Sequence, residues 1–248
     1  MKIERVETGI NGLDELIQGG FPKGYCVLLS GAPGTGKTIF ALQYIYYGAQ
    51  RGEKGLYVTF NEEVEDVLIQ PGVFGWEAQK YIDSGKMKVL CIDTKDFDVN
   101  DLVAEIKQGN YERFVLDSLS SLLAQPIAIE DIDISYTLKD RLERLAPSPL
   151  NIEVATRLLV EKIIREVRRV KCTSVIISEL VESIGGLSRD TISEFLVDGV
   201  ITLQYVMVGI ESASSRNLMV RKMRATAHSE NIHPIEFKEG TGMHILIP

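Results

Sequence analysis

Short apolar runs rich in β-branched residues alternate along this chain with longer stretches whose apolar positions recur at helical spacing. Residues 25–30, 55–60, 87–92, 114–117, 174–178 and 200–204 are nearly continuous in apolar character, the pattern of strands buried on both faces of a parallel sheet. Between them, residues 38–49 carry no proline and present a broad apolar face. Residues 151–170 follow Pro149 and space Ile152, Ala155, Leu159, Ile163 and Val167 for one side of a helix. Both segments predict helices packed on the sheet, and the alternation as a whole predicts an α/β fold. The pattern then changes. Residues 218–223, 235–237 and 243–247 come in quick succession with glycine-rich spacing, which predicts antiparallel strands appended to the parallel core.

One stretch resists this reading. From Ile127 to Ile134 apolar and acidic residues are mixed, and residues 139–144 read as a short charged helix, so residues 124–149 are expected to form a surface insertion. The remainder reads as a single domain spanning residues 1–248, with the hydrophobic and charged fractions, 45% and 25%, of an ordinary globular protein. No apolar run reaches the roughly 18 residues of a membrane span, and the start, Met1 to Arg5, lacks the apolar core of a signal peptide. A cytoplasmic protein without membrane contact is expected. Cys26, Cys91 and Cys172 are widely separated and read as small buried residues, neither metal ligands nor disulfide partners. The net charge of −8 argues against nucleic acid as a partner. The basic cluster Arg165, Arg168, Arg169 lies on the predicted helix and reads as its solvated face.

Chemistry enters with Gly31-Ala32-Pro33-Gly34-Thr35-Gly36-Lys37-Thr38, which matches the phosphate-binding pattern G-x-x-x-x-G-K-[ST] between a predicted strand and a predicted helix. Glycines let successive backbone N–H groups curl around phosphate oxygens, and the helix adds the positive end of its dipole. Lys37 supplies a point charge for the β- and γ-phosphates, and the Thr38 hydroxyl is placed for Mg²⁺. The predicted contacts to ATP or ADP are therefore Gly31 through Thr38, with Ile39 beyond them. Asp117 ends an apolar strand, where open α/β sheets bind ligands, and is the second candidate Mg²⁺ ligand. For the attacking water, Glu62 is the first choice, because the strand before it is expected to end beside the phosphate loop. Ser118, Ser120 and Ser121 lack a G-x-S-x-G turn, and His228 and His233 lack metal-ligand spacing.

At this point four segments carry a resemblance that extends over nearly the whole chain. They are Thr8 to Gly24 at the start, Tyr57-Val-Thr-Phe-Asn-Glu-Glu63, Phe74-Gly-Trp76 with Gly85-Lys86, and Lys222-Met-Arg224 with His228 and Pro234-Ile-Glu-Phe237. In this order they resemble a single-domain member of the KaiC-like branch of the RecA superfamily of ATPases. The resemblance implies a RecA-like P-loop NTPase core and a homo-oligomer, a hexameric ring with ATP at subunit interfaces. It also implies that Lys222 and Arg224 act in trans on the neighbouring subunit's nucleotide.

Two departures bear on the carry-over. Relatives commonly have two glutamates after the second-strand Phe, and here the first is Asn61, an amide that holds a water but does not take its proton. The chain also has one such domain where the clock protein of the family has two, so circadian and autokinase functions do not follow. The leading reading is an oligomeric, nucleotide-driven ATPase switch. The alternatives are a nucleotide-held scaffold with negligible hydrolysis, which Asn61 favours, and a recombinase-like DNA-binding ATPase. The latter needs positive charge in residues 180–189, which carry little.

Overall fold

The computed structural model describes residues 3–60, 62–124, 149–180, 186–207 and 214–247. Asn61, nearly all of the predicted insertion at 124–149 and the centre of the 180–189 loop lie outside the described residues. A nine-stranded sheet is built from β3 (Cys26–Gly31), β4 (Gly55–Thr59), β5 (Met87–Cys91), β6 (Arg113–Asp117), β7 (Thr173–Glu179), β8 (Gly199–Met207), β9 (Ser214–Met223), β10 (His233–Lys238) and β11 (Gly242–Ile245). Its order is β11-β10-β9-β8-β3-β7-β6-β4-β5, and a two-residue pair, β1 (Arg5–Val6) and β2 (Phe21–Pro22), stands apart. The strands from β8 to β5 in this order run parallel, and β9, β10 and β11 add on antiparallel, as the change in pattern predicted.

The alternation of side chains along each strand builds two apolar layers. Val27, Leu29, Tyr57, Val115 and Val175 face one way, onto Phe40, Ala41 and Tyr44 of α2 (Lys37–Gln50). On this side also lie α1 (Leu13–Leu16), α3 (Val64–Val73) and α4 (Ala78–Asp83). Leu28, Leu56, Phe114, Leu116 and Ile176 face the other way. They meet α5 (Val99–Gly109), α6 (Leu119–Leu123) and α7 (Pro149–Arg169), through Leu102, Ile106, Leu119, Ile163 and Val167. Because both faces are covered, the central strands need the unbroken apolar runs seen in the sequence. Arg165, Arg168 and Arg169 are exposed along α7, as its pattern requires. Cys26 and Cys172 are buried, but Cys91 is exposed, contrary to expectation. It ends β5, the edge strand of the sheet, where burial fades toward the last residue.

Arg113, the first residue of β6, is fully buried. Its Nε donates to Glu53 Oε2 at 2.5 Å, its Nη1 donates to the Tyr44 carbonyl at 2.9 Å, and its guanidinium lies 4.6 Å from the Tyr44 ring centroid. Nη2 has no hydrogen-bond partner among the described residues. With the desolvation cost already incurred, Glu53 is the partner that keeps the charge tolerable. Glu53→Ala is expected to lower stability by roughly 3 kcal/mol. Arg113→Met, which removes the charge with the pair, is expected to cost less. Urea denaturation of the two variants tests the order.

Candidate nucleotide-binding site

The phosphate loop spans the junction from β3 to α2, and its backbone explains its glycines. Gly36 has φ +103°, and a Cβ there would stand 2.4 Å from Phe237 Cζ. Gly31 is crowded instead by the neighbouring strand, with Leu203 O 2.5 Å from the position of a Cβ. The loop is closed internally by Thr35 Oγ1, which donates to the Ala32 carbonyl at 2.8 Å. Lys37 Nζ donates to the carbonyls of Gly31 at 2.9 Å and Ala32 at 3.0 Å, so the ammonium lies across the loop. Burial holds its pKa below the ordinary lysine value, against the opposing fields of Asp117 and Glu179. Ile39, on the first turn of α2, is partly buried and packs against the core.

Strand order brings Asp117 to this loop. The Thr38 hydroxyl donates to Asp117 Oδ2 at 3.1 Å, and the Tyr57 hydroxyl donates to the same oxygen. Burial raises the Asp117 pKa, while the two hydroxyls and the Lys37 charge pull the other way. A hydroxyl and a carboxylate side by side at the carboxyl edge of a parallel sheet form an all-oxygen donor set, which fits Mg²⁺ and not a thiophilic metal. Tyr57 is a neighbour the sequence did not announce, since its pattern shows only a core strand residue.

Glu62 is exposed, two residues past the apolar end of its strand. The strand itself is not beside the phosphate loop, contrary to expectation: β7 and β6 intervene between β3 and β4. The chain leading to Glu62 is tied to the site through β6, the neighbour of β4, where the Phe60 amide donates to the Asp117 carbonyl at 3.1 Å. Desolvation first, then the charges of Asp117 and Asp66, raises the Glu62 pKa.

The tip of the loop is held by residues far away in sequence. Gly34 O accepts from the Tyr205 hydroxyl at 2.8 Å and from Arg216 Nε at 3.1 Å. The Arg216 guanidinium is 5.5 Å from the Tyr205 ring centroid and 5.3 Å from that of Phe237. Neither Tyr205 nor Arg216 belongs to a motif, so sequence reading passed over both.

Lys222 and Arg224 are elsewhere. In the sheet, Leu203 pairs with both Gly31 and Leu218, whereas Val200 pairs with Leu28 and Lys222. Lys222 therefore lies toward the amino-terminal edge of the parallel strands, opposite the edge that carries the chain's own phosphate loop. Its Nζ donates to the carbonyls of Glu194 at 2.9 Å, Phe195 at 3.4 Å and Val197 at 2.7 Å, in and just after α8 (Ser193–Leu196). Burial, with Arg224 and Arg168 nearby, lowers its pKa. Arg224 Nη1 donates to Asp198 Oδ1 at 3.2 Å, an oxygen shared with Arg168 Nη2 at 2.8 Å.

The arrangement has relatives. The sequence model of the family described as "ATPase: KaiC" matches residues 6–248. A UPF0273 protein of Pyrococcus furiosus is 32% identical over 243 residues, covering 96% of this chain and 92% of its own. A circadian clock oscillator protein KaiC of Prochlorococcus marinus is 28% identical over 235 residues, and this chain covers 43% of it. Among solved structures, a KaiC-like protein of Pyrococcus horikoshii superimposes with a TM-score of 0.81 at 34% identity, over 99% of this chain and 100% of the other. No helix among the described residues is long and apolar enough to cross a membrane. The chain belongs to the KaiC family of ATPases and has the RecA-like, ATP-binding core of that family.

Proposed function

We propose that the protein is a Mg²⁺-dependent ATPase that acts as an oligomeric switch, each site being completed by Lys222 and Arg224 of a neighbouring copy. The observation that carries this reading is the division of the candidate residues between two edges of the sheet. Lys37, Thr38 and Asp117 meet at the carboxyl edge, with Glu62 in the field of Asp117, and Lys222 and Arg224 lie toward the other edge. With Lys222 and Arg224 across the sheet from the chain's own phosphate loop, the nucleotide they can serve is that of a second copy.

The roles follow from charge. The amides of the phosphate loop and Lys37 hold the β- and γ-phosphates, and Lys37 exchanges its carbonyl partners Gly31 and Ala32 for phosphate oxygens. Thr38 and Asp117 would hold Mg²⁺, which supplies charge neutralisation for the phosphates. Glu62, an exposed carboxylate in the field of Asp117, orients the attacking water and takes its proton. Lys222 and Arg224 of the neighbour offset the charge that develops as the γ-phosphate leaves. Nucleotide bound across an interface also stabilises the assembly by linkage, so nucleotide state sets ring state. A DNA-binding role is less well supported: Arg189, in the loop after β7, is paired with Glu179 at 2.6 Å.

Hydrolysis per subunit is expected to climb with protein concentration and to vanish in Lys37→Ala. A rate equal to that control at every concentration would sink the enzymatic reading in favour of the scaffold that Asn61 suggests.

A further inference from the structure

Two exposed apolar features lie at opposite corners of the protomer. On α8, Phe195 is 73% exposed; on α3, Ile69 and Val73, one turn apart, are 60% and 68% exposed. The first helix packs with α7 on one face of the sheet and leads into β8 at the amino-terminal edge. The second packs with α2 and α4 on the other face and follows β4 at the carboxyl edge. Within one copy the two features cannot meet.

Their charged surroundings are complementary. Along α3 the exposed stripe continues from Val73 and Ile69 back through Asp66 toward Glu62, with Glu63 and Glu65 exposed alongside. Around Phe195 the exposed charge is mainly cationic; Glu161, 37% exposed, is paired with Arg157 at 3.1 Å. Arg165, Arg168 and Arg224 point outward, while the local carboxylates Glu166 and Asp198 are drawn in, with side-chain exposures of 19% and 3%. Lys222 is tied to this feature directly, since its ammonium is anchored on the carbonyls of Glu194, Phe195 and Val197. Wherever Phe195 docks, Lys222 is carried with it.

We infer that Phe195 of one copy docks on the Ile69–Val73 face of α3 in the next, and that this contact delivers Lys222 and Arg224 to the neighbour's phosphate loop. The inference rests on the trans reading above and names the surfaces that bring it about. The contact is heterologous, with different patches on the two partners, so it propagates head to tail, into a ring where the rotation between copies closes and a filament where it does not. Glu62 begins the acidic stripe, so the docked cations arrive on the side of the site where the water is activated.

Charge-swap variants test the pairing, with the mass of the assembly measured by sedimentation in the presence of Mg²⁺ and ATP. Phe195→Asp, which sets a carboxylate against an acidic face, and Ile69→Lys, which sets a cation against a basic one, are each expected to weaken association at least tenfold. Without nucleotide and at concentrations low enough to dissociate wild type as well, the variants should melt close to wild type, because both positions are exposed; Phe195→Ala, milder, should weaken association in the same direction. The two swaps combined in one chain should restore the assembly. Singles that leave the mass unchanged, or a double variant that stays dissociated, would overturn the docking. Mass is read independently of turnover, so a restored assembly whose rate ignores Lys222→Ala would overturn the trans reading and leave the docking intact.

Discussion

Arg224→Ala is expected to lower the ATPase rate roughly 10³-fold, the loss typical of removing a cation that stabilises phosphoryl transfer from outside the phosphate loop. Nucleotide affinity should change far less, because Gly31 to Thr38, Lys37 included, are untouched. Asp198, which Arg224 now contacts at 3.2 Å, keeps its 2.8 Å pair with Arg168, so the fold should persist. Mixing separates trans from cis action. Arg224→Ala subunits retain Lys37, and Lys37→Ala subunits retain Arg224. Random assembly of equal amounts should therefore recover about a quarter of the wild-type rate from two inactive proteins, since heterologous contacts pair a good loop with a good cation at that frequency. A mixture as inactive as its components would mean that Arg224 serves its own chain, against the register that puts it at the far edge of the sheet.

How much of this was legible beforehand depends on the range of the interaction involved. The strand–loop–helix geometry around Gly31 to Thr38 is readable because it is local: the glycines, Lys37 and Thr38 lie within one turn between a strand and a helix. The strands were readable for a similar reason, since burial on both faces leaves an unbroken apolar run such as residues 26–31. Strand order is not local, and there the reading failed. The strand before Glu62 is expected to end beside the loop, whereas β7 and β6 lie between β4 and β3. The same limit hid Tyr205 and Arg216, which hold Gly34 from 171 and 182 residues away. It also hid the edge position of Cys91. The position of Lys222 illustrates both sides. The motif was visible, but only the register of β9 against β8 puts it out of reach of its own phosphate loop.

Asp117→Asn should move activity and stability in opposite directions. The carboxylate is partly buried, burial raises its pKa, and the charge is sustained by hydroxyl donors, Thr38 and Tyr57, with Lys37 nearby. An amide of the same shape still accepts a hydrogen bond from a hydroxyl but carries no charge for a divalent cation. Mg²⁺-dependent hydrolysis should therefore fall by a factor on the order of 10² to 10³, several kcal/mol of lost charge stabilisation. The nucleotide-free fold should gain about 1 kcal/mol, because a desolvated charge has been removed without emptying its space. The pH dependence fixes the cause. A carboxyl whose pKa is raised on folding binds protons more tightly in the native state, so its cost is full above the raised value and fades as the pH falls through it. The Tm advantage of Asp117→Asn over wild type should thus be largest near neutral pH and narrow in acid. An advantage that grows in acid, or a Tm below wild type at neutral pH, would show that the carboxylate stabilises the fold and that Thr38 and Tyr57 more than offset its burial.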